Sequence, residues 1–101
     1  MGFFKSLMGG GNKKQELATK IEQGARVIDV RTAEEFSDGH YPNAVNIPVD
    51  AMRSRLGDFG PKDKPVIVYC ASGARSAMAA QVLRSQGYSD VTNAGGLGDL
   101  P

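Results

Sequence analysis

The hydrophobic pattern of this chain is a series of short apolar runs separated by turn residues and amphipathic stretches. Arg26–Val30, Ala44–Ile47, Pro65–Tyr69 and Asp90–Asn93 are short and carry β-branched or apolar cores, which predicts four strands. Val66-Ile67-Val68-Tyr69 is the strongest of them and reads as fully buried. Between the strands, Leu17, Ala18 and Ile21 follow helical spacing up to Gly24. Thr32 precedes Glu35 by three residues, a capping box that opens a short helix through Phe36. Asp50 is placed to cap a helix carrying Met52 and Leu56, with Gly57–Lys64 a loop after it. A longer helix is predicted from about Arg75 to Gln86, stopped by Gly87, and Gly95-Gly96 is read as breaking the last strand. Strands alternating with helices predict an α/β fold: a small parallel sheet with helices on both faces.

The chain of 101 residues suits one compact domain. Gly9–Gly11 reads as a hinge, so residues 1–12 are expected to be a flexible leader and 13–101 a single domain. Met1–Ser6 matches the loose N-myristoylation pattern, but that pattern recurs by chance and one acyl chain anchors weakly. A flexible leader or weak amphipathic anchor is the preferred reading. No apolar stretch is long enough to span a bilayer, and the leader lacks the core and cleavage pattern of a signal peptide. Cytoplasmic residence is the expectation.

Charge adds a restriction. Twelve Lys and Arg face eleven Asp and Glu, a net charge of +1, so no long-range field exists for gripping nucleic acid. Any anion must be held by a local site.

The sequence offers one such site. Cys70, the only cysteine, follows directly on the strongest strand and precedes Ala71-Ser72-Gly73-Ala74-Arg75-Ser76 leading into a helix. Small side chains let successive amides turn inward as an anion-binding nest, and the helix start adds unpaired N–H groups. The same donors would stabilise a thiolate, so Cys70 is expected to be a nucleophile of lowered pKa rather than an inert core residue. Gly73 supplies the backbone freedom of the turn, and Arg75 places a guanidinium at the rim.

With these residues the chain resembles the rhodanese homology domain from about Leu17 to Gly96. Ile28-Asp29-Val30-Arg31 with Glu35-Phe36 is similar to that family's first signature, and Gly39–Pro48 to its second motif. The loop starting at Cys70 is similar to its active-site loop, and Asn93-Ala94-Gly95-Gly96 to its closing motif. Within the family, the chain looks like the short single-domain thiosulfate sulfurtransferases of the phage-shock E kind. Four residues separate Cys70 from Arg75. Related phosphatases and arsenate reductases have one residue more there, so the resemblance points to sulfur transfer.

What the resemblance implies is a double displacement. Cys70 would take the outer sulfur of thiosulfate, hold it as a persulfide, and pass it to cyanide or a thiol, a protein thiol included. Ala71, Ser72, Gly73, Ala74, Arg75 and Ser76 would bind the substrate, with Arg75 on the sulfonate and Ser72 or Ser76 adding a hydroxyl. Asp29, Arg31, Glu35 and His40 would be structural support. No cofactor or metal is called for. Two readings stay open beside this one: a sulfur relay or non-catalytic protein-binding module, and, less favoured, a phosphatase or arsenate reductase. A thiol oxidoreductase would need a second molecule to supply a resolving cysteine. Ala71 stands where many relatives carry a bulky or basic side chain, and Leu97 and Leu100 are the only late apolar residues, where longer relatives add an aromatic-containing helix.

Overall fold

The computed structural model describes residues 12–101. The leader and acylation pattern read in residues 1–11 lie outside the described residues. Asn12, assigned above to the leader, caps the first helix: its side chain accepts from the Gln15 backbone N–H.

Helix α1 is Lys13–Glu22, strand β1 Arg26–Asp29, helix α2 Ala33–Asp38 and strand β2 Val45–Asn46. Strand β3 is Val66–Cys70, helix α3 Ala74–Ser85 and strand β4 Val91–Gly96. All pairings are parallel, in the order β2-β1-β3-β4. The predicted α/β fold is therefore the observed one.

Alternation along the strands builds two cores. Ile28, Val66, Val68 and Cys70 face one side, where Ala79, Ala80 and Leu83 of α3 cover them. Val27, Ile67 and Tyr69 face the other, against Leu17 of α1 and Leu100 near the end of the chain. Helices thus cover both faces, as a parallel sheet requires. Helix α2 is different. It buries no residue and sits at the rim.

Two expectations need correction. The helix expected after Asp50 is replaced by 3₁₀ turns at Val49–Ala51 and Leu56–Phe59. Asp50 lies inside the first turn, exposed, and Pro48 takes the cap position. The polar run Arg53-Ser54-Arg55 gives a helix nothing apolar to bury, and Gly57 and Gly60 favour a turning backbone. Met52 still reaches the core, as does Phe59 from within the segment expected to be a loop.

The second correction concerns Gly95-Gly96, which continue the last strand instead of breaking it. Asn93 pairs with Val68 and Gly95 with Tyr69, so Ala94 is an extra residue and the strand bulges there. Gly95 has φ 99°, a conformation glycine adopts without strain. The bulge carries β4 on to pair Gly96 with Cys70.

Strand order reverses between β1 and β3, so the crevice beyond their carboxyl ends is the expected ligand position in such a sheet. Cys70 ends β3 at that edge.

Candidate active site

Cys70 leaves β3 and the chain turns at once into α3. The turn is closed by Gly73, whose φ of 101° places it in the left-handed region as the residue before the helix. This brings two amides and a hydroxyl up to one sulfur. The Gly73 amide donates to Cys70 Sγ at 3.0 Å, the Ser76 amide at 3.4 Å and the Ser76 hydroxyl oxygen lies 3.3 Å away.

The residue Cys70 is 1% exposed and Ser76 fully buried. Burial alone pushes the thiol up, because a charge is poorly solvated there. The Ser76 hydroxyl and the amides of Ser76, Gly73 and Ser72 outweigh it and bring Cys70 down to about 7. The inward-facing amides expected of this loop are therefore present. Ala71, Ser72 and Ala74 are exposed at its mouth.

Arg75 sits on the first turn of α3 and is engaged by Glu35 of α2. Its two terminal nitrogens donate to the two carboxylate oxygens at 2.8 and 3.1 Å. Glu35 also completes the predicted capping box, accepting from the Thr32 amide while the Thr32 hydroxyl accepts from the Glu35 amide. Arg75, then the Thr32 amide, hold the Glu35 carboxyl down at about 2. The rim helix is thereby fastened to the loop.

Behind the loop lies a buried network. Asp29 accepts from the Arg31 backbone amide at 2.8 Å, from its guanidinium at 2.7 to 3.1 Å, and from the Tyr69 hydroxyl at 2.8 Å. Arg31 also donates to the Gly39 carbonyl at 2.6 Å. The Tyr69 hydroxyl in turn accepts from the Tyr41 amide. Burial first, then the hydrogen bond to Asp29, push this phenol up to about 12, so it stays a donor. The Asn46 side chain donates to the Asp29 and Arg31 carbonyls. The carboxyl ends of β1, β2 and β3 are tied together by these bonds. His40 stacks on Phe36 with centroids 3.6 Å apart, and its Nδ1 is 2.8 Å from the Phe36 carbonyl.

Sequence reasoning missed the role of Asn93. Its Oδ1 accepts from Ser76 Oγ at 2.6 Å and from the Gly95 amide at 3.0 Å, while its Nδ2 donates to the Gly73 carbonyl at 3.1 Å. The available signal was its place at the head of the closing motif. In the sequence Tyr69 is legible only as a strand residue. Its hydroxyl partner lies forty positions away in sequence.

The glycine pair has a steric reason as well. A Cβ on Gly96 would collide with the Ala71 backbone carbonyl, and its position is fixed by the strand, so no side-chain rotation relieves it. Gly96→Ala is expected to lower the unfolding free energy by about 1–3 kcal/mol. It should also raise the pH midpoint for alkylation of Cys70, since the displaced loop loses amide contacts. Urea denaturation and iodoacetamide kinetics measure the two effects.

The rhodanese-like domain family model matches residues 13–97. Thiosulfate sulfurtransferase PspE of Escherichia coli is 40% identical over 74 residues, covering 72% of this chain and 71% of that protein. Thiosulfate sulfurtransferase GlpE of Pseudomonas savastanoi is 40% identical over 78 residues, covering 74% and 70%. The human single-domain sulfurtransferase TSTD1 superposes with a TM-score of 0.74 at 32% identity, over 81% of this chain and 85% of its own. With a cysteine at the switch point of a parallel sheet, cradled by the amides that follow it, this chain belongs to the rhodanese-like domain family.

Proposed function

We propose that the protein is a thiosulfate sulfurtransferase that carries sulfur as a persulfide on Cys70. The observation that carries this reading is the set of donors converging on one buried sulfur, which hold the thiol near neutrality at about 7. A group of that kind is a nucleophile at physiological pH without a general base. His40, turned onto Phe36, is accordingly given no proton-transfer role.

In the first half-reaction the Cys70 thiolate attacks the outer sulfur of thiosulfate. A new S–S bond forms, the S–S bond of thiosulfate breaks, and sulfite leaves with the electron pair. The enzyme then holds Cys70–S–S⁻, and charge is conserved. In the second, cyanide or a thiolate attacks the terminal sulfur and the Cys70 thiolate is regenerated. The loop amides from Ala71 to Ser76 stabilise negative sulfur in both states, as an oxyanion hole does. Arg75, held at the rim by Glu35, is assigned to the sulfonate end of the donor through the N–H groups that Glu35 leaves open. Asp29, Arg31, Glu35 and His40 keep the scaffold in place. A single unpaired thiol that must stay reduced suits the cytoplasm.

The test is thiocyanate formation from thiosulfate and cyanide, with hydrolysis of an aryl phosphate run in parallel. Thiocyanate alone supports the reading. Phosphate release without thiocyanate would replace it by the phosphatase alternative.

The pH dependence provides a second measurement. Only the thiolate reacts, so alkylation of Cys70 is expected to rise through a midpoint of about 7, below the roughly 8.5 of a free cysteine. The folded value lies below the unfolded one. The stability this group contributes is therefore fully present above about 8.5 and is lost as pH falls through about 7. Urea unfolding at pH 6 and pH 9, compared with Cys70→Ala, reads that difference.

A further inference from the structure

The contacts of Ser76 contain a conflict over one hydrogen. Its hydroxyl lies 2.6 Å from Asn93 Oδ1 and 3.3 Å from Cys70 Sγ, and it has a single proton to donate. The orientation of the Asn93 amide is set by its other partners. Oδ1 faces the Gly95 N–H at 3.0 Å and Nδ2 faces the Gly73 carbonyl at 3.1 Å. Exchanging the two atoms would oppose donor to donor and acceptor to acceptor. Oδ1 is thus an acceptor, and the 2.6 Å contact consumes the Ser76 proton.

This arrangement is complete when Cys70 is a thiol. The S–H donates to Ser76 Oγ, and Ser76 O–H donates to Asn93. With an anionic sulfur it cannot persist, because Sγ and Oγ would face each other with lone pairs only. The hydroxyl must then turn from Asn93 to the sulfur, leaving Oδ1 to the Gly95 amide.

We propose that Asn93 is a positioning residue that holds the Ser76 proton away from Cys70 in the thiol state and yields it when the sulfur becomes anionic. The bond to Ser76 that stabilises the thiolate is gained only by giving up the bond to Asn93. Asn93 therefore keeps part of the resting cysteine protonated near neutral pH. By the same geometry it releases a donor to the persulfide anion of the loaded state, a consequence that rests on the sulfurtransferase reading.

The charged groups on the surrounding elements have other partners. Arg75 of α3 is paired with Glu35 of α2, and Arg31 with Asp29 at the end of β1. Asp99, after β4, accepts from the Gly96 amide. Cys70, Ser76 and Asn93 thus form a polar chain whose protons are set by its own members and the loop amides.

The test is a double-mutant cycle read by thiolate absorbance against pH, without any sulfur donor. Ser76→Ala is expected to raise the Cys70 midpoint by about 0.5–1 pH unit. Asn93→Ala removes the competing acceptor, but it also frees the Gly73 carbonyl, so the coupling between the two substitutions is the quantity that decides. With Ser76 present, Asn93→Ala should leave the midpoint lower, by about 0.5–1 pH unit, than its effect in the Ser76→Ala background predicts. Equal effects in both backgrounds would assign Asn93 a structural role alone and overturn the proposal.

Should Asn93→Ala not fold, the amide proton shift of Gly95 decides. Its bond to Oδ1 has to strengthen when Ser76 turns away. The shift should follow the Cys70 titration in the unaltered protein and lose that response in Ser76→Ala. A response that survives in Ser76→Ala, or none in the unaltered protein, sinks the idea. Because no donor is present, failure here leaves thiocyanate formation untouched, and an absence of thiocyanate leaves the titration interpretable.

Discussion

Cys70→Ser is expected to abolish sulfur loading while leaving the fold intact. Incubated with thiosulfate, the unaltered protein should gain the mass of one sulfur atom, lost again on adding cyanide. The serine variant should gain none, and thiocyanate formation should fall by at least about a thousandfold. The substitution exchanges one small buried acceptor for another, so the Gly73 and Ser76 amides keep a partner and packing between β3 and α3 is little disturbed. What changes is ionisation and nucleophilicity. An alcohol in the same cradle stays protonated at any accessible pH and is a poor match for sulfane sulfur. Intact mass spectrometry with a denaturation curve for both proteins separates chemistry from folding. A loaded Cys70→Ser would move the persulfide elsewhere and end the proposal, and an unloaded parent protein would favour a binding module.

The second large effect falls on stability. Asp29→Ala should lower the unfolding free energy by about 3–5 kcal/mol, measured by urea denaturation at neutral pH. Asp29 is fully buried and collects four donor atoms: the Arg31 amide nitrogen, two nitrogens of its guanidinium, and the Tyr69 hydroxyl oxygen. Removing the carboxylate strands the charge of Arg31, a residue 9% exposed, and leaves a buried phenol without its acceptor. Most of the expected loss is the penalty on the groups left behind rather than the net strength of the ion pair. Replacing both members, Asp29→Leu with Arg31→Met, should therefore recover a substantial part of it. If the double variant is no more stable than Asp29→Ala, the geometry of the network rather than its charge is what holds the strand ends.

These two positions also mark what could be read from residues in order. Cys70 was legible as the candidate site because its signal is local: a buried strand, small loop residues and a helix start follow one another in the chain. The capping box at Thr32 and Glu35 was legible for the same reason, and both bonds form. Asp29 and Arg31 could be assigned to support, but not the Tyr69 hydroxyl that completes their network, since β1 and β3 meet only in the sheet. The Asp50 helix failed because the spacing of Met52 and Leu56 alone does not require an α-helix, and the polar run between them leaves 3₁₀ turns to place the apolar side chains. Gly95-Gly96 misled because glycine weakens an isolated strand, whereas here pairing with Tyr69 and Cys70 and the nearness of the Ala71 carbonyl favour it.

By itself the sequence determined the parallel α/β character, the position of the single cysteine at a strand's end and the inward turn of the loop amides. Each depends on periodicity, β-branching and glycine placement over a few neighbouring residues. Only the tertiary structure decided that Glu35 holds Arg75, and that Asn93, twenty-three positions beyond the cysteine, accepts from the Ser76 hydroxyl facing it. Those partners are brought together by strand order and by one bulge in β4, and hydrogen bonds across a sheet obey distance in space rather than along the chain.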